Sequence, residues 1–180
     1  MPSPVGHALA GLASGWLIRG NRLDEPYGRR EAILFAGLGT LADFDLLFGM
    51  HSGPTHGVGA AILAGAFAWL PLGHATGRSR LTLALACIVA YGSHTLLDWL
   101  GSDTSPPIGI MALWPFSREY YESSLHLFMA VSRRIRQPDR FWVQNLTALA
   151  RELMILVPPL LVIGWLRARR APHVTSGSST

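Results

Sequence analysis

Five apolar blocks, parted by polar or glycine- and proline-rich connections, organise this chain. The first, Val5 to Ile18, is rich in small residues: Gly6, Ala8, Ala10, Gly11, Ala13 and Gly15. Small side chains let helices approach closely in lipid. The block predicts a first helix, short of the roughly 20 residues that a full span needs. Ala32 to Phe48 predicts a second helix, and a third starts at Thr55 or His56 and runs to about Leu72. Leu81 to Leu100 predicts a fourth and Phe141 to Leu166 a fifth, which Pro158-Pro159 should kink. Gly101 to Phe116, with Pro106, Pro107 and Pro115, reads as irregular. Glu119 to Val131 reads as a short amphipathic helix, with Glu122 and His126 four residues apart. The expected fold is all-α: an integral membrane bundle of about five membrane helices. It forms one domain over residues 1–170, with 171–180 as a disordered tail.

Composition supports the bilayer. Hydrophobic residues make up 49% of the chain and charged ones 14%, against about 25% charged in a typical soluble domain. All 15 basic residues are arginines, and the net charge of +4 is spread over the connections. That distribution excludes the basic stripe of a nucleic-acid binder. It fits lipid headgroups as partners and arginines as topology signals. The lone Cys87 sits in an apolar block and reads as a small buried hydrophobe. Met1-Pro2-Ser3-Pro4 lacks a basic n-region, so no cleavable signal peptide is expected.

The chemistry lies in the polar exceptions to the apolar pattern. His94 and Asp98 are four residues apart in the fourth block, so a helix projects them from one face. Ionisable groups inside a membrane segment are costly and mark functional sites by default. An imidazole and a carboxylate on one face can share a metal ion; the plainer reading is that Asp98 holds His94 or caps the helix. The other blocks add to the first reading. His7 opens the first, Asp43 and Asp45 close the second, and His51 and His56 precede the third. If the helices run alternately up and down, all of these meet at one end of the bundle. His74 falls at the opposite end and His173 in the tail. Three histidines with two or more carboxylates suit zinc or a comparable divalent ion, as one ion or two, in a water-activating site. Asp43 and Asp45 would point about 200° apart on an α-helix. One is then the direct ligand, and the other orients a histidine.

Val5-Gly6-His7, Asp43-Phe44-Asp45, His51 through Thr55-His56, Ser93-His94 with Leu97-Asp98, and Trp114-Pro115-Phe116 together resemble one family. It is the YdjM-like family of LexA-binding, inner-membrane-associated, metal-dependent hydrolases, and the resemblance spans about residues 1–166. Its members are distantly similar to zinc-dependent phospholipases C and single-strand-specific zinc nucleases. The resemblance implies metal ligands at His7, Asp43 or Asp45, His56, His94 and Asp98. It implies a bacterial inner-membrane hydrolase acting on a phosphoester or lipid-related substrate, with Asp45 or His51 as base or ligand orienter. Family members often carry arginine after the first loop histidine. Ser52 stands there in this chain, which removes a possible phosphate clamp. The competing class is a transport or assembly subunit with a structural metal or polar network. Its polar residues would be expected near the bilayer midplane rather than at helix ends. Trp114 and Tyr120-Tyr121 read as interfacial anchors. Nine arginines fall in Arg19 to Glu31, around Arg78 and after Leu166, all on one side if the first, third and fourth helices span. Arginine-rich short loops stay cytoplasmic, which puts the site on the extracytoplasmic side.

Overall fold

The computed structural model describes residues 1–19, 28–50, 52–70, 77–132 and 138–169. His51, His74, His173, Arg22 and the expected tail lie outside them. Five helices follow one another: α1 (Pro4–Arg19), α2 (Gly28–Thr40), α3 (Val58–Trp69), α4 (Gly77–Leu100) and α5 (Pro138–Arg169). Two 3-10 segments, Leu41–Phe48 and Pro54–His56, join α2 to α3. No strand forms among the described residues, and the all-α expectation holds.

The second apolar block is not α-helical to its end. After Thr40 the chain tightens into 3-10 geometry, and the Thr40 hydroxyl donates back to the Gly37 carbonyl at 3.0 Å. Gly49 stops it at φ 69°, a left-handed conformation that glycine adopts without steric cost. The tighter winding changes which way Asp43 and Asp45 face.

Glu119–Val131 is irregular rather than helical, with a turn at Ser124–Leu125 and His126 at φ 41°. Its backbone donors find partners elsewhere: Tyr121 N–H donates to the Ile110 carbonyl at 2.9 Å, Ser123 to Trp99 at 2.8 Å and Leu127 to Leu100 at 2.7 Å. The last two fill carbonyls that α4 leaves open at its C-terminus. This segment therefore caps α4, the helix that carries His94 and Asp98. Trp114 packs over the start of α3, where a Cβ on Gly57 or Gly59 would come within 2.8 Å of its side chain.

Glycines set the helix spacing, as the small-residue pattern implies. A Cβ on Gly39 of α2 would lie 2.3 Å from the His7 carbonyl oxygen of α1. Gly15 faces the ring of the fully buried Phe35, and Gly65 of α3 faces Ile88 of α4. Phe35 packs with Ala86, Ala90 and Cys87, so Cys87 is the buried hydrophobe its sequence suggested. Helix α5 runs parallel to α1: Glu152 reaches Gly6, and the Arg167 guanidinium lies 4.4 Å over the Trp16 ring.

Among the described residues two helical stretches are long and apolar enough to cross a membrane, Ser79–Leu100 and Pro138–Arg169. The first is 56% buried inside the protein and the second only 11%, so α4 is the central helix and α5 packs on α1 at the edge. Helices α1, α2 and α3, at 16, 13 and 12 residues, fall short of a full span.

Candidate metal centre

Four elements bring five side chains to one end of the bundle. His7 comes from the first turn of α1, Asp43 from the longer 3-10 segment, His56 from the shorter one, and His94 and Asp98 from the last turns of α4. Asp98 lies at the middle. Its Oδ1 is 3.3 Å from His7 Nε2, and its Oδ2 is 3.0 Å from His94 Nε2 and 3.4 Å from His56 Nε2. Asp43 Oδ1 is 3.8 Å from both His56 Nε2 and His94 Nε2. The His7 and His94 rings stack with centroids 3.8 Å apart.

The surroundings aim the nitrogens. His94 Nδ1 is 2.7 Å from the Gly39 carbonyl oxygen. A carbonyl only accepts, so the proton sits on Nδ1 and the Nε2 lone pair faces the cluster. Gly39 can bring its carbonyl there because α1 and α2 touch through their glycine backbones. Behind His56, Asp45 Oδ2 is 3.4 Å from Nδ1 and accepts the Thr55 hydroxyl at 2.9 Å. The Tyr91 hydroxyl donates to the Thr55 carbonyl at 2.8 Å and ties that turn to α4. Asp43 thus faces the cluster while Asp45 backs a histidine, a division that 3-10 winding allows.

Charge makes the cluster unstable by itself. Burial pulls the His56 pKa down, but Asp43, Asp45 and Asp98 outweigh it and push it up to about 9. Burial pushes the Asp43 and Asp45 carboxyls up, yet His56 leaves both below the usual carboxylate range. Three carboxylates therefore crowd one firmly protonated histidine, and excess buried charge is expensive without a counter-charge. His7 Nε2, His56 Nε2, His94 Nε2 and both Asp98 oxygens are buried with no hydrogen-bond partner among the described residues. Buried polar atoms are nearly always satisfied. Imidazole and carboxylate donors converging in this way fit a divalent cation. The donor atoms of His7, His94 and Asp98 lie within 4.8 Å of one another, as do those of Asp43, His56 and His94.

The remaining predicted residues fall elsewhere. His51 is outside the described residues. Glu122 and His126 pair with each other at 3.7 Å, but His126 is half exposed and Glu122 also accepts the Asp103 N–H at 2.7 Å. Neither joins the cluster. Sequence reasoning passed over Glu152, which is fully buried in α5. Its Oε1 accepts the Ser3 N–H at 2.7 Å and its Oε2 accepts the Ser3 hydroxyl. Ser3 Oγ in turn accepts the Gly6 N–H at 3.2 Å, and the Ser3 carbonyl accepts the His7 N–H at 3.1 Å. Ser3 is the N-cap of α1, and Glu152 sets a carboxylate where the helix dipole favours negative charge. The signal was available: an acid in an apolar membrane segment, as with Asp98.

The YdjM inner membrane protein family matches residues 1–170, and the chain belongs to that family. No curated protein and no solved structure matches the chain. The wider likeness to zinc-dependent phospholipases C and nucleases is not shown by these comparisons.

Proposed function

We propose that this YdjM-family membrane protein is a metal-dependent hydrolase of phosphoesters. The observation that carries the reading is the set of buried, unpartnered donor atoms from His7, His56, His94 and Asp98, converging beside the partly exposed Asp43. His94 belongs to both metal-sized groups but has one free nitrogen, since Nδ1 is held by Gly39. The two groups therefore share a single ion, for which zinc suits the mixed N/O donors.

When bound, such a cation makes water nucleophilic near neutral pH and polarises a phosphoryl oxygen. The chain's own residues do the rest. Gly39 fixes the His94 tautomer, and Asp45 with Thr55 orients His56. Tight packing keeps bulk water from all of the set but Asp43, whose carboxylate can accept the proton of the attacking water.

The test is turnover by the purified protein on a panel of phospholipids, nucleotides and simple phosphoesters. Activity is expected to vanish with chelator, return with zinc and be absent in Asp98→Asn. Asp43→Asn, which leaves the other four donors, is expected to hold metal more weakly and lose turnover. Hydrolysis unaffected by complete metal removal would end the proposal; metal retained with no turnover on any of the panel would favour a structural metal. Arg19, Arg29, Arg30, Arg80, Arg167 and Arg169 lie at the end of the bundle opposite the centre, and this bias supports an extracytoplasmic site without requiring α1 or α3 to span. In intact cells an impermeant thiol reagent should then label Ser105→Cys and Ser124→Cys, exposed at the site's end, but not Arg29→Cys, exposed at the other, and the opposite pattern reverses the assignment.

A further inference from the structure

Within the cluster, exposure is confined to one side chain. Asp43 is 21% exposed, whereas the side chains of His7, His56, His94 and Asp98 are at 0–1%. A substrate reaching the centre must come past Asp43. That carboxylate stands in the wall of a cavity of about 610 Å³, whose other lining includes Pro4, Thr40, Phe44, Leu46, Leu47 and Val131. The volume is that of an ordinary ligand cleft, roughly 300–1,000 Å³. Its lining is otherwise apolar, apart from Thr40, whose hydroxyl is already spent on the Gly37 carbonyl. Among the described residues no arginine lines it.

The cavity continues into an apolar surface. The 3-10 segment that turns Asp43 and Asp45 inward leaves Phe44, Leu47 and Phe48 outward, 56%, 76% and 79% exposed, with Met50 beside them. In a chain of a membrane protein family, such side chains meet lipid rather than water. The way in is thus greasy from the surface to Asp43, the one donor in the cavity's lining and its polar end.

We infer that the substrate is a long-chain lipid phosphoester drawn from the bilayer. Its hydrocarbon chain lies along Phe44, Leu46 and Leu47, and its phosphoester passes Asp43 to the cation. The inference rests on the hydrolase reading above and adds the substrate class.

The experiment uses the full chain in phospholipid nanodiscs, loaded with Co²⁺. The visible spectrum of the ion reports ligands that reach it. Methylphosphonate and octylphosphonate are titrated, two probes with one headgroup and resistant to hydrolysis. Octylphosphonate is expected to perturb the spectrum at a midpoint at least about tenfold lower, since burying two methylenes already gives about that factor. Partitioning into the bilayer would give the same trend, and a second variant separates the two. Leu46 and Leu47 are 37% and 76% exposed, so neither fills the protein's interior. The double variant Leu46→Gln, Leu47→Gln is expected to keep the cobalt spectrum and the methylphosphonate midpoint while losing most of the chain-length advantage. Equal midpoints in the parent protein, or an undiminished advantage in the double variant, would overturn the lipid assignment alone. Failure to bind cobalt, or no response to either phosphonate, would overturn the hydrolase reading and the inference with it.

Discussion

One methyl group at Gly39 should cost the protein most of its metal affinity. A Cβ there would lie 2.3 Å from the His7 carbonyl oxygen, 3.0 Å from Gly11 Cα and 3.1 Å from the His7 carbonyl carbon. These are backbone atoms, so no rotamer change relieves the contact. Restoring ordinary contact near 3.4 Å means moving α1 and α2 apart by about 1 Å, whereas metal–ligand distances tolerate only about 0.2 Å. Two donors shift together: His7, carried by α1, and His94, held by the Gly39 carbonyl. Disturbing a group that orients a ligand costs about 10- to 100-fold in affinity, and overpacking costs about 1–3 kcal/mol of stability. Gly37 is the control, because a Cβ there meets nothing within 4 Å. Gly37→Ala should bind metal normally and gain about 0.5–1 kcal/mol from better helix propensity. Zinc affinity is read by competition with a chromophoric chelator, with melting curves in parallel. Equal zinc affinity in Gly39→Ala and Gly37→Ala would refute the claim that the glycine contact positions the donors.

Two further outcomes are expected. Glu152→Ala strands the Ser3 N–H and should lower stability by about 1–3 kcal/mol, with Glu152→Gln recovering most of the melting temperature because it keeps an acceptor; identical melting for the two variants would remove Glu152 as the cap. Because His56 is pushed up to about 9, it is protonated at pH 7, so zinc uptake should release about one proton and zinc affinity should rise with pH, levelling off above about 9. Calorimetry in buffers of different ionisation enthalpy reads the proton, and zero release at pH 7 would contradict the charge assignment. The same shift means that His56 stabilises the metal-free fold fully below about pH 6.5, a contribution lost as pH rises through about 9.

The convergence of His7, Asp43, His56, His94 and Asp98 was legible because it needs only helix ends and alternating direction. Which aspartate faces the cluster was not legible, since 200° holds for α winding and the chain changes to 3-10 at Leu41. Glu119–Val131 looked helical because Glu122 and His126 fall four apart. What decided it was the open carbonyls at the end of α4, which no local pattern records. The Gly39 carbonyl and the Ser3–Glu152 cap join residues 55 and 149 positions from their partners, and contacts between elements leave no periodic trace. Apolar content predicted the bilayer, and among the described residues two of the five helices are long and apolar enough to cross it. Val58–Trp69, too short to span, buries only Gly59, Ala61 and Gly65 and leaves Ile62, Leu63 and Phe67 exposed.

The cap on α1 also has a place in time. Ribosomes build a chain from its N-terminus, and helices form as they emerge. Every donor of the centre lies between His7 and Asp98, so the full set exists once α4 is complete. Glu152 is added only later, on a helix that touches the bundle along one side. Until it arrives, the Ser3 N–H and hydroxyl at the head of α1, one turn before His7, lack the carboxylate that accepts them. Docking of α5 is the closing act of assembly for the centre, although α5 contributes no donor to it.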